Sequence, residues 1–292
     1  MSTLPAQTLA PEALAPQQLL RRLGILARKR MGQHFIVSRS AILHILDALA
    51  LSSTDLVVEV GAGLGALTGF LAATGAQVVA IELDERLCAH LTSQFAQAGN
   101  VRIVQADVLK VVPASFLPAR TVGYKVVGNL PYYITSAALR HILSWEPLPK
   151  LVVVMVQLEV AQRITAGPGG MSLLSLMVQL KGQPSILAQI PPGAFVPAPK
   201  VRSAVLKIAP HPQPICSREE EEALFCLARA AFGQKRKALG NSLAGAPALS
   251  RERAGALLAA AGIPARARPQ ELSLEDWLRL ARLYLFLLAE RV

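Results

Sequence analysis

The sequence predicts an α/β fold: a doubly wound, mostly parallel seven-stranded sheet of Rossmann-like type, followed by a small all-helical C-terminal domain. Two patterns predict it. Continuous Val and Ile runs alternate with helical segments between residues 55 and 157, which is typical of strands that helices cover on both faces. Beyond a stiff, proline-rich linker near residue 210, the remaining patterns are helical.

The strands and helices can be read in chain order. The first five strands are DLVVEV, QVVAIELD, VRIVQAD, KVVGNLPY and KLVVVMVQ, and the helices between them include LGALTGFLAAT, ERLCAHLTSQFAQAG and ITSAALRHILSW. PSILAQIPPGAF and KVRSAVLKIAP give two more strands, and Ser217 with Glu220 forms a capping box at the next helix. The predicted parts are a flexible tail (1–16), a sheet domain (17–209), a linker (210–214) and a helical domain (215–292).

Composition excludes several protein classes. The three cysteines, Cys88, Cys216 and Cys226, form no CxxC pair, so we expect neither a disulfide framework nor a bound metal. The arginines near the N-terminus follow the apolar residues, which is the reverse of a secretory signal. No apolar run approaches the roughly 18 residues of a membrane span. We therefore expect a cytoplasmic protein that does not bind membranes.

The net charge of +11 is unevenly distributed along the chain. Residues 1–40 carry +5, residues 41–180 carry −1 and residues 181–292 carry +7. Basic segments thus flank a nearly neutral middle, as expected if a polyanion is held on both sides of a catalytic centre. The alternative is that Lys and Arg merely keep an Ala- and Leu-rich protein soluble.

Three consecutive strands end in groups that suit a nucleoside cofactor. Ligands of doubly wound sheets bind beyond the carboxyl ends of the strands. The first strand ends in a glycine turn that includes Gly61 and Gly63, the second in Glu82, which can accept hydrogen bonds from ribose hydroxyls, and the third in Asp107, which can accept one from an adenine amino group. The turn also fits the G-x-G-x-x-A pattern of nicotinamide cofactors, so these residues alone leave the cofactor open.

The fourth strand separates these alternatives. A hydride-transfer enzyme needs a catalytic His, Lys or Tyr against the nicotinamide, and no such grouping follows residue 129. Instead, the Asn129 side-chain oxygen and the Pro131 carbonyl are two acceptors that can converge on one exocyclic amine, while Tyr132 can stack on the base that bears it. The alternative is a simple turn in which Asn129 caps the following helix.

Eight segments together resemble the ribosomal RNA adenine N6,N6-dimethyltransferases, and especially the bacterial small-subunit (16S) enzymes. They are MGQHFI, VVEVGAGLGALT, AIELDERL, QADVL, VGNLPYYIT, QLEVAQRI, FVPAPKVRSAV and AFGQKRKALGNSL, and the likeness runs from about residue 25 to 280. The resemblance implies a methyltransferase sheet domain with a helical C-terminal domain. It also implies S-adenosylmethionine as the cofactor and 16S rRNA of the small ribosomal subunit as the partner of a monomeric enzyme.

The resemblance also implies roles for individual residues. Gly61 and Gly63 lie against the cofactor, Glu82 holds its ribose, Asp107 meets its adenine, and His34, the Ile36 backbone and Asn129 complete the cofactor site. Phe195 matches the aromatic residue that faces Tyr132 across the target adenine. The sequence departs from the family at His34, Leu158 and Met171, where Asn, Lys and Tyr are usual.

The expected reaction is direct transfer of a sulfonium methyl group to adenine N6, with the two oxygens restoring the nitrogen lone pair. The predicted phosphate contacts are Arg28, Lys29, Arg30, Lys200, Lys235, Arg236 and Lys237. Two further alternatives remain: a large-subunit (23S) rRNA adenine methyltransferase that shares the catalytic motifs, and a ribosome assembly factor without catalytic activity.

Overall fold

A computed structural model describes residues 16–22, 24, 33–119, 121, 123–234 and 236–289. The helices are α1 (Pro16–Arg22), α2 (Arg39–Leu49), α3 (Ala66–Ala73), α4 (Glu85–Gln94), α5 (Thr135–Ile142), α6 (Leu158–Thr165), α7 (Leu173–Lys181), α8 (Arg218–Gly233), α9 (Leu239–Ser242), α10 (Arg251–Ala260) and α11 (Leu274–Ala289). The strands are β1 (Phe35–Ile36), β2 (Leu56–Val60), β3 (Gln77–Glu82), β4 (Val101–Gln105), β5 (Lys125–Asn129), β6 (Leu151–Gln157), β7 (Gly182–Ile190), β8 (Phe195–Val196) and β9 (Ser203–Pro210).

Seven strands form one sheet, which confirms the predicted fold class. Its order is β4-β3-β2-β5-β6-β9-β7. The first five of these strands are parallel to one another, and β9 is antiparallel to β6. The apolar runs are buried as expected: all five central residues of β6 are inaccessible to solvent. The two-stranded ribbon of β1 and β8, in which Ile36 pairs with Phe195, was not predicted.

The chain divides into two compact units. Of the described residues, the first contains those from 16 to 161 and 184–210, and the second contains 162–183 and those from 211 to 289. The predicted boundaries put residues 162–183 in the sheet domain, whereas the structure groups them with the C-terminal helices. The reason is packing: Met171, Leu176 and Leu180 are buried in the same apolar core as the helices α8 to α11. Among the described residues, no helix is both long and apolar enough to cross a membrane.

A buried lysine joins three elements of the sheet unit. Lys125, at the start of β5, donates hydrogen bonds from Nζ to the carbonyls of Leu49 and Ala50, at 2.8 and 3.0 Å, and to Asp55 at 3.1 Å. The carbonyls lie at the C-terminal end of α2, where a positive charge is favourable. Because Lys125 and Asp55 expose only 10 and 11% of their side chains, the lysine charge depends on Asp55 for compensation.

We expect Lys125→Met to lower the free energy of unfolding by about 3 kcal/mol. The substitution takes a positive partner away from the partly buried Asp55 carboxylate and removes the hydrogen bonds to the carbonyls at the C-terminal end of α2. Lys150→Met is the matched control. Lys150 contacts the same carboxylate at 3.3 Å but is 50% exposed, so its loss should cost less than about 1 kcal/mol. Urea titration measures both variants, and equal losses would contradict this account.

Candidate active site

A cleft of about 340 Å³ lies at the carboxyl ends of the parallel strands, where the sequence predicts it. Its lining belongs to the first unit. The structure brings nine of the predicted site residues into this lining: His34, Ile36, Gly61, Gly63, Glu82, Asp107, Asn129, Pro131 and Tyr132.

The glycine turn after β2 forms the floor of the cleft. Gly61, Gly63 and Gly65 have φ angles of 75°, 60° and 81°, which side chains rarely adopt. A Cβ atom on Gly63 would also lie 3.1 Å from the ring of Phe35. The turn therefore requires glycine for conformation and for space, and the N–H groups of residues 61, 62, 63 and 65 are all hydrogen-bonded within the protein.

Glu82 is locked to the turn by its carboxylate. Oε1 accepts hydrogen bonds from the N–H groups of Leu83 and Asp84, at 2.7 and 3.0 Å, and Oε2 accepts one from Gly63 at 2.9 Å. A carboxylate offers about four acceptor positions. One position therefore stays open on Oε2, whereas the sequence predicts contacts with two ribose hydroxyls. The second hydroxyl would have to share an acceptor position with an internal bond.

The two carboxylate oxygens of Asp107 have different surroundings. Oδ1 accepts a hydrogen bond from the Leu109 N–H at 2.9 Å, which caps the turn after β4. Oδ2 has a long contact of 3.9 Å with Lys110, whose side chain is 83% exposed. Because that ion pair is weak, Oδ2 is available to accept a hydrogen bond from an amino group.

These groups fit the cofactor that the resemblance implies. Glu82 provides an acceptor for a ribose hydroxyl, and Asp107 provides one for an adenine amino group. Acceptors in these places match the donors of an adenosine.

Asn129 ends β5 and has a defined side-chain orientation. Its Nδ2 donates a hydrogen bond of 2.6 Å to the carbonyl of His34. Since the nitrogen end of the amide is used in this way, Oδ1 is the end that can accept a hydrogen bond from a ligand. This is the orientation that an acceptor for an adenine amine requires.

The predicted acceptor role of Pro131 needs correction. Its carbonyl already accepts hydrogen bonds from the Ile134 N–H at 3.1 Å and from the Thr135 hydroxyl at 3.2 Å. A carbonyl oxygen has two lone pairs, so the turn that starts α5 uses both. The residue between Asn129 and Pro131, Leu130, also lines the cleft and carries another backbone carbonyl.

Tyr132 lines the cleft, and its hydroxyl is held by a residue outside the lining. The hydroxyl oxygen lies 2.6 Å from Oγ of Ser203, and the ring centroid lies 5.3 Å from that of His34. Burial raises the pKa of Tyr132, so its phenol keeps its proton at neutral pH.

The predicted position of Phe195 also needs correction. Its side chain is 2% exposed and packs with Ile36 and Ile42 in the apolar core of the sheet unit, outside the cleft lining. The pairing of β8 with β1 holds it there. In this arrangement Phe195 supports the wall of the cleft and does not offer a surface for stacking.

Glu59 lines the cleft but was missed in the sequence. It is 1% exposed and accepts a hydrogen bond of 2.6 Å from the Thr68 hydroxyl. Burial raises the pKa of Glu59 to about 8; the charge of Glu82 acts in the same direction, and the Thr68 hydrogen bond acts against it. An acid inside the apolar run LVVEV was the signal in the sequence.

The predicted phosphate contacts divide into two groups. Lys200, Arg236 and Lys237 are exposed, as contact with a polyanion requires. The other four, Arg28, Lys29, Arg30 and Lys235, lie outside the described residues. These contacts stay a prediction.

Comparison with known proteins finds similarity over most of the chain. The profile of the family described as ribosomal RNA adenine dimethylase matches residues 24–285. A Dehalococcoides mccartyi protein named ribosomal RNA small subunit methyltransferase A is 44% identical over 280 residues, covering 96% of both chains. A Moorella thermoacetica protein of the same name is 40% identical, covering 90% of this chain and 94% of its own.

Two solved structures are similar to this one. The 23S rRNA methyltransferase ErmE superposes with a TM-score of 0.68 and is 28% identical, covering 85% of this chain and 98% of its own. A dimethyladenosine transferase from Plasmodium falciparum superposes with a TM-score of 0.73, covers 85% of this chain and 96% of its own, and is 23% identical. The second likeness supports the fold alone.

We expect Glu59→Gln to stabilise the protein at alkaline pH. The pKa of Glu59 is about 8 in the folded state and 4.5 as its ordinary value. As pH rises, Glu59 therefore loses its proton at a lower pH in the unfolded chain than in the folded protein. Its contribution to stability falls as pH rises from about 4.5 to about 8. Urea unfolding should find the variant more stable than the parent by at least about 1 kcal/mol at pH 8.5, and by much less at pH 5.

The matched control for that experiment is Glu146→Gln, because Glu146 is exposed. It should not change the pH dependence. A Glu59→Gln variant whose advantage does not grow with pH would mean that Glu59 is ionised in the folded protein at neutral pH.

Proposed function

This chain belongs to the ribosomal RNA adenine dimethylase family, and we propose that it dimethylates N6 of two adjacent adenosines near the 3′ end of 16S rRNA. S-adenosylmethionine is the methyl donor, and the modification is a step of ribosome biogenesis. The observation that carries the proposal is the position of Asn129. Its free amide oxygen borders the same cleft as the glycine turn, Glu82 and Asp107.

S-adenosylmethionine supplies a methyl group on a positively charged sulfur. The chain's own part is to hold donor and acceptor in line. Oε2 of Glu82 and Oδ2 of Asp107 would hold the adenosine part, and the turn at Gly61 and Gly63 borders the same cleft. Alignment of two bound reactants can contribute on the order of 7 to 11 kcal/mol. No nucleophilic side chain is needed for this step.

Two oxygens prepare the target amine. Oδ1 of Asn129 and, in place of Pro131, the carbonyl of Leu130 accept the two N6 hydrogens. Their pull favours a pyramidal nitrogen whose lone pair is no longer delocalised into the ring. The nitrogen becomes acidic as the methyl group arrives, so its proton can pass to water. In the second round, the one remaining hydrogen still anchors the amine to Asn129.

The target base must leave its stack before it can react. Tyr132 offers a ring at the cleft, and stacking on an aromatic side chain is worth about 1 to 3 kcal/mol per base. That energy offsets part of the cost of unstacking. The base then lies next to Asn129, three residues earlier in the same turn.

The helical unit supplies a basic surface for RNA. Residues 229–268 contain eight Lys and Arg residues but Glu252 as their one acid. Several acids elsewhere in this unit have partners, since Glu220, Glu221 and Asp276 pair with Arg282, Lys181 and Arg279. The excess positive charge suits phosphates, and binding should weaken steeply with salt. We propose that the protein is a cytoplasmic monomer that acts on the small subunit.

The large-subunit alternative shares the fold. The proteins named for the small subunit are 40 and 44% identical to this chain, against 28% for the 23S enzyme. We expect methyl transfer to small subunits that lack the modification, with dimethyladenosine found by mass spectrometry. Naked 23S RNA should accept far less, and preferential methylation of it would support the alternative.

We expect Asn129→Ala to lower kcat by at least about 100-fold, because the amine loses its side-chain acceptor. The affinity for S-adenosylmethionine, measured by calorimetry, should change much less. Asn100→Ala is the control and should keep kcat, because it removes an amide that also donates to backbone carbonyls but lies outside the cleft lining. Full methylation by Asn129→Ala would contradict the mechanism, and binding to small subunits without any methylation by the parent would favour an assembly factor.

A further inference from the structure

Tyr132 is held from two sides before any base is bound, and this observation carries a further inference. We propose that Ser203 is a positioning residue for the methyl transfer, which fixes the ring of Tyr132 as a preformed platform for the target adenine. The inference rests on the proposed function and extends it to a residue that touches neither the base nor the cofactor.

The first side is the contact between two hydroxyls. Oγ of Ser203 lies 2.6 Å from the hydroxyl oxygen of Tyr132. Ser203 is fully buried at the start of β9, opposite Gln157 of β6. It therefore belongs to a paired strand inside the sheet, and its position is fixed by the backbone. If Tyr132 swung away, the Ser203 hydroxyl would stay buried without this partner, which is unfavourable.

The second side is the ring of His34. Its plane is inclined by 31° to that of Tyr132, with the centroids 5.3 Å apart. The imidazole itself is held, because Nδ1 donates a hydrogen bond of 2.6 Å to the carbonyl of Pro197. Ser203 thus fixes the end of the tyrosine, and His34 limits the rotation of its ring.

Both groups that meet the base share this support. The carbonyl of His34 orients the amide of Asn129 while its ring contacts Tyr132. The pairing of Ile36 with Phe195 ties the same segment to β8. Phe195 therefore supports the His34 segment from within the apolar core. The contact between Ser203 and Tyr132 sets the distance from the tyrosine ring to Oδ1 of Asn129.

A preformed platform predicts a particular kinetic signature. Loss of the contact between Ser203 and Tyr132 frees the ring to adopt several orientations, so the base is aligned with the cofactor for less of the time. Loss of this contact should therefore lower kcat and weaken the stacking of the base on Tyr132. Cofactor affinity should stay unchanged, since neither hydroxyl belongs to the acceptors of the cofactor site.

The test compares Ser203→Ala, Tyr132→Phe and the double variant on small subunits that lack the modification. Each single change should lower kcat by about three- to tenfold, the range that one hydrogen bond supplies. The double variant should lose no more than either single one, because both remove the same bond. Fluorescence of 2-aminopurine at the target position of an RNA fragment should be quenched less by all three variants than by the parent.

Matched controls separate positioning from general destabilisation. Ser242→Ala removes a buried hydroxyl in the helical unit, and Tyr124→Phe removes a buried tyrosine hydroxyl that donates to the Pro147 carbonyl. Both should lower the melting temperature slightly and leave kcat and quenching unchanged. Calorimetry with S-adenosylmethionine should give the same Kd for all variants.

Two results would overturn the inference: a Ser203→Ala variant that loses stability but keeps kcat and quenching, as the controls do, or losses in kcat that multiply in the double variant. Failure of the proposed function is distinguishable, because the parent protein itself would then not methylate small subunits. If the parent is active and the variants behave as the controls do, only the role of Ser203 is wrong.

Discussion

The side-chain amide of Asn129 donates a hydrogen bond of 2.6 Å to the carbonyl of His34, and the chemistry of the cleft depends on this contact. It decides which end of the amide faces a ligand. With the nitrogen end used internally, Oδ1 is presented as an acceptor, which suits an amine with two hydrogens. The reversed amide would present donors and repel that amine.

The fold makes this contact possible by bringing strand ends together. Val60 and Gly128 are opposite each other in β2 and β5, and a Cβ atom on Gly128 would lie 2.4 Å from the Val60 carbonyl oxygen. Only glycine allows this approach. It keeps the turn at Gly61 beside Asn129, so that the cofactor turn and the amine acceptor border one cleft. The same argument extends to Glu82, which the Gly63 N–H holds against the turn.

The sequence predicted the sheet and most of the cleft, because Val and Ile runs identify buried parallel strands and ligands bind at their carboxyl ends. It could not predict hydrogen-bond occupancy. The Pro131 carbonyl is used by its own turn. Phe195 is buried by the pairing of β8 with β1, and strands of two residues are too short to give a periodic pattern in the sequence. Segment 162–183 was assigned to the sheet domain because its packing partners lie far away in the chain.

The most direct test of the central claim is a crystal structure with S-adenosylhomocysteine and adenosine bound in the cleft. The account predicts adenine N6 within about 2.6 to 3.2 Å of Oδ1 of Asn129, close to the Leu130 carbonyl and directed at the sulfur. Tyr132 should lie against the face of the base. An adenine whose N6 is bound by other groups, or is turned away from the sulfur, would contradict it.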